Sequence, residues 1–459
     1  MNWRTAPFVL QAASISLLLA GNAFAADLIE VWQAAKVHDP EYLAAQSDRS
    51  AGEARRNMGE ALLRPSVSLV GSAGLVKQSS AITGAQFSAP GLGTVNNANF
   101  NTSINSGTQT KLAIQATQPL YDRELSAQKN QLQLSAEIAD MGMVAADRAL
   151  ILRVAENYFA AAKTQAIINL LLEQQNAVSN TYAEIGRRQH LGDASKIDLQ
   201  LTAEQVEAIK AKLLNAQLAY QNDSLALTEL TGQNIAVNAL GEDFNSAEVP
   251  AGDASAWISK AKQQNQQLKL LALQEQVRSS EIDKYGSALS PKLNLIAQVA
   301  REQASGSGAY GSASNTAANN LIGIQLSVPL TDGYRSAKKD EAFHLAEKSK
   351  REYERASLDI EKQVSSTWLA LGTGKARIES LARIVALSKG RLIATERSHR
   401  QGSRTTLELL GAQSDYVSSR LVLLEEQVNF ILNRTRLAAM AGEISDQDLI
   451  LANRFVAKN

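Results

Sequence analysis

The sequence contains no cysteine. Disulfides, thiol nucleophiles and Cys-containing metal sites are thereby excluded, as is the acylated N-terminal cysteine that a bacterial lipoprotein requires. Aromatic residues amount to only 5%, little for one thick core, whereas small residues and glutamine are plentiful, as in long helices packed side by side. An excess of charge of either sign is also missing. With 46 basic and 46 acidic residues, no electrostatic case exists for nucleic acid as a partner. The histidines His38, His190, His344 and His399 are scattered, with no His-Glu-x-x-His or similar spacing, and neither a P-loop nor a nucleophile elbow occurs. No catalytic, cofactor or metal site is indicated. Gly306-Ser307-Gly308-Ala309-Tyr310-Gly311 formally fits a dinucleotide fingerprint. It lies between two expected strands with no helix opening after it, so it has no helix N-terminus to hold a pyrophosphate.

Long hydrophobic runs are the last absence. Past the N-terminus nothing approaches the roughly 18 to 20 consecutive apolar residues of a membrane helix, so any entry into a membrane must be by strands. The N-terminus itself reads as an export signal over residues 1–25. Arg4 supplies the positive start, Ala12 to Ala20 is the apolar run, and Ala23-Phe24-Ala25 offers a small-x-small cleavage site.

What the chain does have is two very long helical hairpins. Between Asp122 and Leu191 there is no proline, so a continuous helix there would be about 100 Å long at 1.5 Å per residue. Gly192 hinges it to a return arm ending at Thr231, and the same plan runs from Asp332 to Ala441 with its hinge at Gly402. In the second return arm Val417, Leu421, Leu424, Val428 and Ile431 follow a 4-3-4-3 spacing, the seam of a coiled coil. Ile114-Gln115, Pro119-Leu120, Ser126-Ala127, Gly192 and Gly232 correspond to Ile324-Gln325, Pro329-Leu330, Ser336-Ala337, Gly402 and Gly442, all at an offset of 210. The expectation is two internal repeats, 26–241 and 254–459, with a connector at 242–253.

Each repeat opens with two helices and a pair of strands, expected near 66–77 and 109–119 in the first and near 291–303 and 320–330 in the second. Val67, Leu69, Gly71, Ala73 and Leu75 alternate with Ser66, Ser68 and Ser72, and Ile322, Ile324, Leu326 and Val328 alternate with Gly323, Gln325 and Ser327. Gln78 to Thr110 and Ser305 to Asn320 carry no charge and are expected as exposed loops. About 10 residues of apolar-out, polar-in alternation is what crosses a bilayer as a barrel strand. Four strands cannot close a barrel, and an open edge in lipid leaves backbone groups unpaired, so other copies must complete it. Two copies are the minimum and three give twelve strands. The alternative is an exported, soluble β-sandwich carrying a coiled-coil stalk, a structural or tethering protein of the periplasm.

The order helix, helix, strand, loop, strand, long hairpin, given twice after an export signal, resembles the TolC family of outer-membrane efflux proteins. Its most specific marks are the hairpin tips, Leu191-Gly192-Asp193-Ala194-Ser195-Lys196-Ile197-Asp198-Leu199 and Gln401-Gly402-Ser403-Arg404-Thr405-Thr406-Leu407-Glu408-Leu409, each a glycine followed six residues later by an acid. The resemblance implies a mainly α protein with membrane β: a homotrimer forming a 12-stranded outer-membrane barrel continuous with a periplasmic α-helical barrel. It implies export of small molecules or proteins, as the exit duct of a tripartite efflux pump or type I secretion system. The implied partners are outer-membrane lipid, an inner-membrane transporter and a periplasmic adaptor that grips the tips at Gly192, Asp193, Gly402 and Ser403. By position Asp198 and Arg404 match gate residues that pair across helices, and Glu408 matches an acidic ring. His399 stands where the family has a gate tyrosine and Gly411 where a second acidic ring would be, which implies a looser constriction. Asp198 and Glu408 also suit plain helix starts, where a carboxylate is favoured by the dipole; Arg404 has no such reason to be there. His399 reads as an exposed histidine.

Overall fold

The computed structural model of the chain describes residues 26–91, 93–238, 240, 250, 252–286, 290–309 and 311–456. The expected export signal, most of the expected connector, and Tyr310 of the glycine-rich motif lie outside them. In chain order the elements are α1 (Leu28–His38), α2 (Pro40–Ala61), β1 (Ser66–Ala89), β2 (Gly93–Asp122), α3 (Arg123–His190), α4 (Lys196–Thr231), α5 (Ala254–Gln264), α6 (Gln266–Tyr285), β3 (Lys292–Gly308), β4 (Gly311–Ser327), α7 (Gly333–Arg400), α8 (Thr406–Met440) and α9 (Asp446–Asn453). The described residues are mostly helical, with one four-stranded sheet. Among the described residues no helix is long and apolar enough to cross a membrane. Helix lengths recur: α3 and α7 each have 68 residues, α4 has 36 and α8 has 35.

The chain divides into two units. One comprises Met1–Leu43, Ala146–Gln263 and Ile360–Asn459, and the other Ala44–Ala145 and Gln264–Asp359. The first is helical, and its core gathers on the stretch of α3 from Leu150 to Ala162. Val154, Tyr158 and Phe159 there are fully buried among Leu28 and Val31 of α1, Leu227 of α4, Val428 and Ile431 of α8, and Leu449 of α9. Removing a buried ring such as Phe159 costs about 3–5 kcal/mol by transfer and cavity terms together. The Tyr158 hydroxyl donates to the Ala26 carbonyl at 3.0 Å, which satisfies its polar end, and burial raises its pKa. Helices α1 and α9 meet in the same place. Asp27 caps α1 in a capping box with Glu30, and Asn453 of α9 both accepts from Leu28 N at 3.1 Å and donates to Asp27 at 3.2 Å.

The second unit holds the sheet and the helices that flank it. α2 lies close on α3, since a Cβ added at Gly52 would stand 2.9 Å from the Ala139 Cβ. Arg49 and Arg56 of α2 both bond Asp140 of α3. The sheet is antiparallel in the order β1-β2-β3-β4, leaving β1 and β4 as its edges within the chain. Val67 opposes Ala116, Leu69 opposes Ile114, Ala116 opposes Ala297, and Ala297 opposes Ile322. Directly opposed residues share a face, so these rows make one apolar surface.

Several expectations are corrected by the strands. Gln78 to Thr110 and Ser305 to Asn320, expected as loops, lie almost wholly in ladder, so all four strands run farther outward than the alternation indicated. A ladder needs only backbone donors and acceptors, and where neither face is buried the side chains have no reason to alternate. Pro119, expected to close its strand, is passed by a register shift between Pro119 and Tyr121, as suits a residue without an N–H. Helix α9 was not expected at all.

The turn glycines generate a test. Gly232 ends α4 at φ +69°, and a Cβ there would stand 2.7 Å from the His38 ring, whereas Gly192 at φ +85° faces open space. Gly192→Ala should cost only the left-handed strain of about 1–2 kcal/mol. Gly232→Ala should cost that plus displacement of His38, and lower the denaturation midpoint further. Equal losses in denaturant titrations of the two variants would contradict the close packing of α1 against the α4 terminus.

Candidate functional site

Three places in the structure carry chemistry: the sheet faces, the strand-to-helix junction and the hairpin tips. On the apolar face Val67, Leu69, Ile114, Val299, Ile322, Ile324 and Leu326 are all more than half exposed, Ile322 at 77%. An apolar patch of this extent in one chain marks a lipid or protein contact. The opposite face carries Ser68, Gln115, Gln298, Lys111 and Glu302. Lys111 and Glu302 are directly opposed across β2 and β3, and Gln109 donates to Glu302. Glu302 was not singled out from sequence, because its partner lies on a strand far away in the chain.

At the junction, Asp122 ends β2 and accepts from Glu124 N at 2.9 Å and Leu125 N at 3.2 Å, capping α3. Lys292, directly opposite on β3, lies 3.5 Å from Asp122 and 3.1 Å from Glu124. Arg335 of α7 lies 3.6 Å from Glu124 and donates to the Lys284 carbonyl at 2.8 Å. Asp122 and Arg335 are buried, so their charges depend on these partners. This network fixes the residue at which strand becomes helix.

The tips are built alike. Gly192 and Gly402 take left-handed φ of +85° and +74°. Asp193 N bonds Arg188 O at 2.8 Å and Ser403 N bonds Ser398 O at 3.0 Å, which satisfies the last carbonyls of α3 and α7. Gly192, Asp193, Gly402 and Ser403 are all exposed. Leu191, Ile197 and Leu407 stand out beside them, exposed at 77%, 68% and 62%. The return helices open with side-chain caps. Ser195 accepts from Asp198 N at 3.0 Å and donates to the Asp198 carboxylate at 2.7 Å. Thr405 and Glu408 form a reciprocal capping box.

The structure therefore gives each expected gate residue a partner near at hand. Arg404, in the turn that precedes α8, pairs with Glu408 in the first turn of that helix, both side chains about half exposed, and Asp198 is held by Ser195. His399 departs from expectation. It is 5% exposed, buried against Thr406 with Nε2 and Oγ1 3.4 Å apart. The Asp198 pKa is lowered first by the Ser195 hydroxyl, with the Thr406 hydroxyl and the nearby His399 adding to it against partial burial. So Asp198 of α4, His399 of α7 and Thr406 of α8 come together at one point. Glu408 is lowered first by the Thr405 backbone N–H and then by Arg404. Ser195 and Thr406 were missed from sequence, although the Ser-x-x-Asp spacing of residues 195–198 signals a cap.

A family model described as "Outer membrane efflux protein" matches residues 31–233 and 257–443. The alkaline protease secretion protein AprF of Pseudomonas aeruginosa is 25% identical over 446 residues, 96% of this chain and 90% of that protein. The outer membrane protein TolC of Vibrio cholerae is 24% identical, over 95% of each. Among solved structures, the Campylobacter jejuni CmeC outer membrane channel superposes with a TM-score of 0.73 at 13% identity, covering all of this chain and 98% of that one. That likeness is one of fold.

Both tip carboxylates have lowered pKa values, so their stabilising effect is full above the ordinary Asp and Glu values and is lost as pH falls through the lowered ones. Amide hydrogen exchange at the start of α4, corrected for intrinsic rates, should stay slow from neutrality to about pH 5 and quicken only in stronger acid. At neutral pH, Asp198→Asn should show the fast exchange that the parent shows only in acid. Unchanged protection in Asp198→Asn would remove the carboxylate from the tip's stability.

Proposed function

This chain belongs to the outer membrane efflux protein family, and from that membership we propose that three copies close one twelve-stranded barrel, each giving a four-stranded sheet. The protein lies in the outer membrane with its helical part in the periplasm, and serves as the exit duct for efflux and type I secretion. The observation that carries the proposal is the sheet itself. Its apolar face is exposed in the single chain, and the outer edges of β1 and β4 have no second partner strand among the described residues.

In hydrocarbon each unpaired backbone group costs several kcal/mol, so edges of this kind require a neighbour. β4 of one copy beside β1 of the next continues the antiparallel order around the ring. Apolar rows then face lipid, and the face with Lys111, Gln115, Gln298 and Glu302 faces water. An exported periplasmic tether, the alternative, would leave the rows from Val67 to Leu326 in water. The two halves of the chain act as structural repeats, 26–241 and 254–459 after a signal peptide at 1–25, and each supplies two strands and one hairpin.

The tips are the periplasmic end of the duct. Leu191, Ile197 and Leu407, beside Gly192, Asp193, Gly402 and Ser403, offer an apolar and polar surface to a periplasmic adaptor, which links the duct to an inner-membrane transporter. Asp198, His399, Arg404 and Glu408 form the gate. Their bonds hold the starts of α4 and α8 in place, and opening requires those bonds to be exchanged. The chain performs no catalysis; transport energy comes from the transporter.

In planar bilayers the purified protein should conduct, and Arg404→Ala and Asp198→Ala should each raise the resting conductance. Parental conductance in both variants would remove the gate and leave the channel standing. A protein that inserts without conducting would contradict the channel.

A further inference from the structure

The four-stranded sheet stops short of the ends of β1 and β2. β3 and β4 turn at Gly308 and Gly311, and pairing of β2 with β3 begins only at Ser106 opposite Ser307. Beyond that row β1 and β2 continue alone as a two-stranded ribbon, from Gln78 opposite Ile104 to Ala89 opposite Gly93. Such a ribbon is marginally stable by itself in water. This one nevertheless exposes large apolar side chains: Ile82 at 56%, Phe87 at 39%, Val95 at 47% and Phe100 at 38%.

These four share a face. Ile82 opposes Phe100, Phe87 opposes Val95, and the Phe87 and Phe100 rings touch at 5.4 Å between centroids. The face can be followed down the strands. On β2, Phe100 and Ile104 lie four residues apart in unbroken register, hence on one side. Ile104 in turn lies over Gly306, where an added Cβ would stand 2.9 Å from it. Gly306 is in phase along β3 with Gln298, Ala300 and Glu302, so the ribbon's apolar patch continues the polar side of the sheet and not the side of Val67 and Ile322. In a closed barrel that side is the lumen, which rules out lipid as the cover.

We propose that the ribbons of neighbouring copies of this chain lean inward and meet through Ile82, Phe87, Val95 and Phe100, forming a lid over the outer mouth of the duct. The inference rests on the three-copy barrel. Three observations support contact between copies. No charged residue occurs from Gln78 to Thr110, so three identical ribbons can converge at a symmetry axis without repulsion. The pairing shifts register three times, at Val76/Gln78, Ile82/Ala85 and Ala85/Phe87. Gly84, in the middle shift, and the non-glycine Asn97, in the last, take φ of +73° and +62°. Shifts of this kind bend and twist a ribbon. Reach is sufficient as well. The ribbon's arm is roughly 40 Å long at about 3.3 Å per residue, whereas twelve strands at about 4.8 Å spacing and about 40° tilt enclose a mouth of roughly 12 Å radius.

The chain has no cysteine of its own, so single-cysteine variants of the full protein report without background. In reconstituted bilayers Phe87→Cys should, on oxidation, give a disulfide-linked pair of chains and lose conductance, and recover both on reduction. Ser88→Cys, on the opposite face, should do neither. Phe87→Asp with Phe100→Asp should raise conductance at neutral pH. The lid is overturned if the cysteine at 87 links no faster than that at 88, if it links without loss of current, or if the aspartates leave conductance unchanged. A parent protein that conducts keeps the barrel independent of these results; one that neither conducts nor associates overturns barrel and lid together.

Discussion

A backbone N–H or C=O in hydrocarbon has no water to bond, and this constraint organises the molecule. The chain builds four strands with an apolar face wide enough for a bilayer, and among the described residues the outer edges of β1 and β4 stay unpaired. One copy is therefore incomplete in the only environment its sheet suits. The proposed association rests on the backbone rather than on any particular side chain, and for the strand order β1 to β4 with both outer edges free, ring closure by identical copies is the direct solution.

The remainder of the structure suits the proposed ring. At its helical border the Asp122, Glu124, Lys292 and Arg335 network sets where strand hands over to helix, and buried charges of this sort tolerate little displacement because each would be left unpaired. The helices rely on small residues for close approach, as at Gly52 against Ala139, and on one dense cluster around Tyr158 and Phe159 that joins α1 and α9 to α3. At the tips the bonds are short-range and half exposed. The Arg404–Glu408 pair ties the turn before α8 to the first turn of that helix, an arrangement worth little to stability in water.

Much of this was legible in the sequence, and the parts that were not share a cause. Lipid burial on one face imposes a period of two, so the rows of Val67, Leu69, Ile322 and Ile324 could be read directly. Gly192 and Gly402 could be read because a left-handed turn leaves glycine as the favoured residue. Register shifts break the period in the outer halves of β1 and β2, which therefore resembled loops. Burial of His399 depends on α4, α7 and α8 meeting, which nothing local to α7 records. The opposition of Lys111 and Glu302 depends likewise on strand register. By contrast, Thr405-x-x-Glu408 was open to reading as a helix start, and at Asp198 and Glu408 the structure displays that local role.

The central claim is that a single chain is one part of a closed wall. Native mass spectrometry of the full-length protein, expressed in an outer membrane and extracted in mild detergent, tests it most directly. The account predicts a dominant species of three chains that survives detergent removal from the gas-phase ion. A single chain as the dominant species, with its sheet edges open, would contradict it.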